Sequence, residues 1–327
     1  SSIMTGKTDY YRRLFALFRS YRRRDLVVPV PPLRIWVELS SRCNLRCPFC
    51  PNRDLPAKDK GDMDWTLFKK IIDQARGFAC EINLHHRGES LLHPEAGRFI
   101  QYASRQGVFS KLHTNGTLLM GKLGDEILAS GLQRLSVSFD GVDAASYEKN
   151  RVGANFEQVT ENIGAFLRRR RQLGRTTPRL AIETMRVAPA RSEAKKQKEF
   201  FRRFKDLGLD ELVLKETHNW AGHLPATAAL GKFSACTFPW NALVVFFDGT
   251  VTPCAQDFFG RLGLGNAVTA PLLEIWNGPP MQRLRRAFAD GDLSETKACS
   301  DCDRIRRRTL GGIPREYLKR MVAKRMP

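Results

Sequence analysis

Between Leu33 and Glu216 the chain repeats one pattern: a short apolar run rich in β-branched residues, then a stretch of helical periodicity. Candidate strands lie at Arg34–Leu39, Glu81–His85, the Lys111–His113 region, Leu135–Phe139, Leu180–Met185 and Leu212–Lys215. Helical patterns separate them, clearest at 157–171 and 193–207. Asp64 is placed to N-cap a helix that buries Leu67, Phe68, Ile71 and Ile72. Alternation of this kind predicts a parallel sheet wrapped by helices, because consecutive parallel strands need a long crossover between them. Six repeats suit an open, partial (β/α)6 barrel of TIM-like type, in which chemistry collects at the C-terminal ends of the strands.

The first strand feeds directly into Ser41-Arg42-Cys43-Asn44-Leu45-Arg46-Cys47-Pro48-Phe49-Cys50. A cubane iron–sulfur cluster used only for storage or wiring takes four thiolates. This loop offers Cys43, Cys47 and Cys50 and no fourth cysteine nearby, which leaves one iron open to a substrate or cofactor. A zinc loop is the alternative, although zinc prefers paired CxxC knuckles and four ligands. A second group comes late. Twelve residues separate Cys236 from Gly249, and four more lead to Cys254. The segment Leu243–Cys254 reads as a β-hairpin turning at Asp248-Gly249. Cys299-Ser300-Asp301-Cys302 follows a helix near 281–289 and supplies two more thiols. Four thiolates satisfy a closed cluster, with structural zinc again the alternative. The eighth cysteine, Cys80, falls at the start of the second strand, the end of a barrel away from its chemistry.

The cysteine loop at the end of a first barrel strand resembles the radical S-adenosylmethionine (SAM) superfamily. That resemblance implies a [4Fe–4S] cluster whose open iron chelates SAM, and reductive cleavage of SAM to a 5′-deoxyadenosyl radical that abstracts hydrogen. It also assigns expectations to later strand ends. In His85-His86-Arg87-Gly88-Glu89-Ser90, Gly88 and Glu89 match a glycine–glutamate element whose backbone and carboxylate receive the SAM ammonium. Arg87 stands where a second glycine is common. Asn115 at the third strand end, Ser138 at the fourth and Met185 at the fifth are expected near SAM, Ser138 at the ribose hydroxyls. Arg151 is expected on the SAM carboxylate, a job suited to a bidentate guanidinium, and Phe49 near adenine. The late cysteines, with Leu264-Gly265-Asn266 and Leu273-Glu274-Ile275-Trp276, resemble the SPASM/Twitch extension of such enzymes. Full SPASM domains carry seven cysteines, so four imply the shorter, Twitch-like form with one auxiliary [4Fe–4S] cluster.

The implied organisation is a basic N-terminal segment 1–32, a radical SAM partial barrel 33–220, and a small Twitch/SPASM-like auxiliary domain 221–327 with a basic tail. Residues 9–24 space Tyr11, Leu14, Phe15 and Phe18 as one face of an amphipathic helix, expected to dock on its own domain rather than on an anionic membrane. Val27–Pro32 reads as a stiff connector. No apolar run approaches the roughly 18 residues of a membrane span and no secretory signal is evident, so the chain reads as cytoplasmic. With 54 basic and 34 acidic residues the formal charge is +20. Such a field attracts phosphates, nucleic acid or acidic partners. The basic runs are scattered, however, and no RNA-binding module with interleaved aromatics accompanies them, so nucleic acid is not the expected substrate.

Seven cysteines on two clusters leave only Cys80, so a radical epimerase quenching its substrate through a thiol has no evident donor. That favours oxidation assisted by the auxiliary cluster, or decarboxylation. The residues before 33 are too few for a leader-peptide-binding domain, which weighs against a peptide-modifying maturase. The expected substrate is a small polar metabolite: a carbohydrate, aminocyclitol or nucleotide-linked sugar, phosphorylated if the positive field has a role. Candidate substrate contacts are His85, His113, Lys215, Glu216 and Trp220, with Glu183 or His218 as the base. A flavodoxin or ferredoxin is the expected electron donor. RNA modification and a non-enzymatic electron carrier are the competing classes, distinguished by salt-sensitive RNA binding and by failure to cleave SAM.

Overall fold

The expected alternation is present. The elements run α1 (Lys7–Arg23), β1 (Arg34–Val37), α2 (Trp65–Ala75), β2 (Glu81–Asn83), α3 (Ala96–Ser104), β3 (Phe109–Thr114), α4 (Gly121–Ala129), β4 (Arg134–Ser138), α5 (Ala144–Asn150), α6 (Phe156–Gln172), β5 (Arg179–Met185), α7 (Arg191–Asp206) and β6 (Glu211–Lys215). Then follow β7 (Ala242–Val245), β8 (Thr250–Thr252), β9 (Gly265–Asn266), α8 (Leu272–Trp276), α9 (Pro279–Asp290) and α10 (Lys297–Ser300). This computed structural model describes residues 7–185, 191–215, 217–225, 233–307, 309–310 and 313–314; Glu216, Arg308 and the basic tail from 315 lie outside them. Two compact units result, one made of Glu38–Asp62 and Asn83–Thr217, the other of Ser1–Val37, Met63–Ile82 and His218–Pro327.

In the first of these units β3, β4, β5 and β6 lie side by side and parallel, with Leu112 opposite Leu135, Leu135 opposite Leu180 and Ile182 opposite Leu212. Leu112, Leu135, Val137, Leu180 and Ile182 of β3 to β5 are buried, as a parallel sheet covered by helices requires, whereas Leu212 and Leu214 of the edge strand β6 are exposed. Behind the end of β4, Phe139 stacks on Phe200 with ring centroids 5.4 Å apart and on Tyr147 at 4.4 Å. Phe156, Phe201 and Phe204 complete this aromatic block. Asp143 starts α5 with a capping box shared with Ser146.

In the second unit β1 pairs in parallel with β7, Ile35 opposite Leu243 and Val37 opposite Val245. β7 turns back into β8 through Asp248-Gly249 as expected, with Gly249 at φ +86°, a conformation that glycine adopts without a Cβ penalty. The helix α1 docks on its own unit, but through a different face from the one expected. Tyr10, Arg13, Leu14, Leu17, Ser20 and Tyr21 are buried, whereas Phe15 is 58% exposed. Tyr21 Oη donates to the carbonyl of Ala235 at 2.8 Å and meets the Trp240 ring edge-on at 5.6 Å. The apolar spacing alone could not choose between two overlapping stripes; the polar tips of Arg13 and Tyr21 find carbonyl partners and so can be buried.

Arg285, fully buried on α9, staples this unit. Its Nε donates to Pro239 O at 2.9 Å, Nη1 to Leu26 O at 2.7 Å and to Asn277 Oδ1 at 2.8 Å, and Nη2 to Trp276 O at 3.0 Å. Asn277 and Trp276 in turn hold Val28 and Val30 of the proline-rich connector. Because truncation would strand several buried carbonyls, Arg285→Ala is expected to cost at least about 3 kcal/mol, measured by chemical denaturation of the apoprotein. A loss below about 1 kcal/mol would show that water replaces the guanidinium.

Candidate active site

The cysteine loop is held by one internal turn and by backbone bonds to neighbouring segments. Cys50 N donates to Cys47 O at 3.1 Å, Ser41 N to Gly61 O at 3.0 Å, and Arg46 N to Val152 O at 2.9 Å. Burial pushes the Cys43 thiol up to about 12 and Cys50 to about 11, so thiolates form here as a metal displaces their protons. The Gly88 turn is pressed against this loop. A Cβ at Gly88 would lie 2.3 Å from Arg42 O and 2.5 Å from Ser40 O, and Glu89 N donates to Arg42 O at 2.8 Å.

Glu89 is buried with its carboxylate mostly taken up by protein. Oε1 accepts from Leu91 N at 3.1 Å and Thr114 Oγ1 at 2.8 Å; Oε2 accepts from Asn115 N at 2.6 Å. Burial pushes its carboxyl up against these hydrogen bonds. Of roughly four lone-pair directions on a carboxylate, one remains for a bound ammonium. Glu89 is thus first a clamp between its own turn and the end of β3. Asn115 is equally committed, donating Nδ2–H to Asn44 Oδ1 at 2.9 Å while its Oδ1 accepts from Thr117 N and Oγ1. Asn44 then reaches Thr117 Oγ1 at 2.9 Å, which ties the cysteine loop to β3.

Arg151 reaches the same loop. Its Nη1 lies 3.8 Å from Cys47 Sγ, its guanidinium carbon sits 5.4 Å from the centre of the Phe49 ring, and Nε donates to Asp140 Oδ2 at 2.7 Å. Asp140 Oδ1 accepts from Met185 N at 2.6 Å, so the ends of β4 and β5 and the arginine form one unit. With Nε and Nη2 on Asp140, the guanidinium can still present Nη1 to an anion.

A second constellation sits at the ends of β2 to β6. Ser138 Oγ lies 2.7 Å from His113 Nε2, so the hydroxyl expected at a ribose is engaged by a histidine. Glu183 Oε2 lies 3.6 Å from His113 Nδ1, and Lys215 Nζ rests against that same oxygen. The His85 and His113 rings meet edge-on at 5.3 Å, and His85 Nδ1 is buried without a hydrogen-bond partner among the described residues. Burial drives both imidazoles to the neutral form, His113 down to about 3 and His85 well below its ordinary value. Burial would raise Glu183, but the positive charges of Lys215 and Lys111 outweigh it and hold the carboxyl well below the usual range. Lys111 was read from the sequence only as part of a strand; its spacing of two from His113 was the signal that both share a face.

Four expected residues thus come together here, His85, His113, Glu183 and Lys215, with Ser138 and Lys111 added. His218 and Trp220 do not join them in the described contacts. Both belong to the other unit, where His218 Nδ1 lies 4.0 Å from Asp303 Oδ2 and the Trp220 ring meets Phe258 at 5.4 Å. The chain passes out of this unit between Thr217 and His218, which strand counting could not show. Glu216 lies outside the described residues. Sequence reasoning also missed Glu38. It is fully buried after β1, and Arg87 Nε and Nη2 donate to its two oxygens at 2.7 and 2.8 Å. Burial would raise its carboxyl, but Arg87 and His86 outweigh this and hold it at about 2.

In the other unit Cys236, Cys254, Cys299 and Cys302 line one recess with Phe238, Gln256 and Arg304. The hairpin delivers Cys254, and Cys302 N donates to Cys299 O at 3.1 Å, which sets the last pair on one turn. Asp257 braces the Cys254 turn by accepting from Arg261 N and Leu262 N at 2.9 and 2.8 Å. Among the described residues no three thiol, imidazole or carboxylate groups converge on an ion-sized point. Four thiols lining one recess supply the four ligands that a closed iron–sulfur cluster takes. Cys80 is buried beside β2, with its backbone N–H on Leu33 O.

Comparisons with known proteins agree with this geometry. Residues 37–177 match the model of the radical SAM superfamily, and residues 236–303 match SPASM, an iron–sulfur cluster-binding domain. An S-adenosyl-L-methionine-dependent 2-deoxy-scyllo-inosamine dehydrogenase from Niallia circulans is 25% identical over 277 residues, spanning 83% of this chain and 92% of that protein. The crystal structure of BtrN in complex with AdoMet and 2-DOIA superposes with a TM-score of 0.57 at 23% identity, over 83% of this chain and 93% of that one. That of Streptococcus suis SuiB bound to precursor peptide SuiA gives 0.65 at 13% identity, over 86% and 73%. These structural likenesses establish the fold, a partial TIM-like barrel with a parallel sheet. Among the described residues no helix is long and apolar enough to cross a membrane. The chain belongs to the radical SAM superfamily, and it is a SPASM/Twitch-type enzyme whose cofactors are a [4Fe–4S] cluster, SAM and an auxiliary iron–sulfur cluster.

Proposed function

We propose that the protein oxidises an alcohol carbon of a small polyhydroxylated substrate of the aminocyclitol or sugar kind. The observation that carries this reading is the constellation of His85, His113, Ser138, Glu183 and Lys215: neutral imidazoles beside one ionised carboxylate, suited to hydroxyl groups. The similarity to a 2-deoxy-scyllo-inosamine dehydrogenase over 83% of this chain supports it. Cys43, Cys47 and Cys50 would hold the cluster, Gly88, Glu89, Asn115, Arg151, Met185 and Phe49 would border SAM, and the four late cysteines would hold the auxiliary cluster. Bound there, these groups supply reductive SAM cleavage, hydrogen abstraction and an electron sink. A flavodoxin or ferredoxin would deliver the first electron.

The chain's own residues handle the proton. Glu183 on the Nδ1 side favours the His113 tautomer that carries hydrogen on Nδ1, which leaves Nε2 as an acceptor. A substrate hydroxyl taking the place of Ser138 Oγ would give its proton to Nε2, and Glu183 would stabilise the resulting imidazolium. Glu183 is thereby the orienting group and His113 the base. Lys215 and Lys111 keep Glu183 ionised. Cys80 lies in the other unit and is buried, and the remaining seven cysteines are cluster candidates, which supports oxidation over thiol-quenched epimerisation.

The test is anaerobic incubation of the reconstituted enzyme with SAM, reductant and a panel of aminocyclitols and sugars. The expected result is a ketone product formed in step with 5′-deoxyadenosine. A product of unchanged oxidation level carrying solvent hydrogen at the reacting carbon would refute oxidation.

A further inference from the structure

Glu38 and Arg87 tie together segments that the candidate SAM site needs held in register. Besides the two side-chain hydrogen bonds, Arg87 N donates to Glu38 Oε2 at 3.1 Å, and His86 Nδ1 lies 3.5 Å from that oxygen. On its other side, Arg87 O accepts from Asn52 Nδ2 at 2.8 Å, and the same nitrogen donates to Ser41 O at 2.7 Å. Residues 38 and 42 before the cysteines and 52 after them thus grip residues 87–89, and Asn52 ties Ser41 to the same carbonyl. The guanidinium is 4% exposed and the carboxylate 0%, so neither charge is there for solubility.

We propose that the Glu38–Arg87 pair is a positioning element, which sets the Gly88–Glu89 turn at a fixed distance from the cysteine loop and so determines SAM affinity. This inference rests on reading that turn as part of the SAM site. A buried ion pair contributes little stability over well-packed apolar residues of similar volume, while a bidentate fork fixes distance and angle. If geometry is its role, an apolar replacement of both partners should recover stability and lose SAM binding. A merely structural pair would lose neither.

The experiment compares wild type, Arg87→Lys and the double variant Glu38→Leu/Arg87→Met, each reconstituted anaerobically. Iron content and thermal midpoint report folding and cluster loading; the SAM concentration that half-converts the reduced cluster's EPR signal reports SAM binding. For the double variant we expect wild-type iron and a midpoint within a few degrees, with half-conversion at roughly tenfold higher SAM or more. Arg87→Lys keeps the charge without the fork, so it should fold and shift half-conversion in the same direction, which serves should the double variant fail to fold. Wild-type half-conversion in either loaded variant would overturn the proposal. A wild-type signal that SAM does not alter would instead overturn the reading of the site, and the positioning role with it.

Discussion

Gly88→Ala is expected to abolish SAM cleavage. The added methyl would lie 2.3 Å from Arg42 O, 2.5 Å from Ser40 O and 2.5 Å from Ser41 C, all of them backbone atoms. Backbone cannot rotate away as a side chain tip can, so either the cysteine loop or the Gly88–Glu89 turn must shift. The loop is also held from its other side by Asn52 and by Arg46 on Val152, so the strain spreads through the candidate cluster site. Overpacking of this kind costs about 1–3 kcal/mol, occasionally more, and here it falls where a displacement of about 1 Å costs roughly 100-fold in rate. Deoxyadenosine formation and iron retention measure the effect. Gly263→Ala is the control: the nearest atom to its Cβ is Gly260 O at 3.7 Å, and it should behave as wild type. Wild-type turnover by Gly88→Ala would mean that the turn does not abut the loop as described.

His113→Phe is expected to lower ketone formation about 10²–10⁴-fold while SAM cleavage continues, uncoupled from product. Phenylalanine keeps the ring contact with His85 and removes the Nε2 acceptor. Product formed per deoxyadenosine separates this outcome from damage to the SAM site, which would lower both together. The pH dependence follows from burial. Because His113 is pushed down to about 3, its imidazole stays neutral across pH 6–8, and turnover should show no protonation limb near pH 6.5. The sign for stability is the same as for a buried neutral base. Between about pH 3 and 6.5 the unfolded chain binds a proton that the folded one refuses, so stability falls as pH drops below 6.5, by up to about 1.4 kcal/mol per pH unit for this one group. His113→Phe should flatten that slope in apoprotein denaturation curves. An unchanged slope would show that His113 titrates normally.

Much of this was legible in one dimension, because some signals are local. Strand–helix alternation, the CxxxCxxC spacing, the Asp248-Gly249 hairpin and the Asp64 cap all depend on neighbours within a few residues. Other features came through only in part. Spacing gave α1 an apolar face, but Phe15 is on the wrong side of it, since burial of Arg13 and Tyr21 turns on carbonyls of Pro31, Pro32 and Ala235. His218 and Trp220 were read as barrel residues by counting onward from β6, where the chain had already passed into the other unit. Ser138 was placed by resemblance at a ribose, and it is held by His113, a partner 25 residues away.

The order of residues alone determined the fold class, the two sets of thiols and the strand ends at which polar groups would gather, since periodicity and spacing are properties of the chain itself. Tertiary structure decided which polar groups meet and which state they take. Glu38 and Arg87 are 49 residues apart, His113 and Glu183 are on different strands, and Arg285 collects the carbonyls of Leu26, Pro239 and Trp276. The reason is that the protonation and role of a charged side chain depend on what surrounds it once water is removed, and that surrounding is assembled only when distant segments pack.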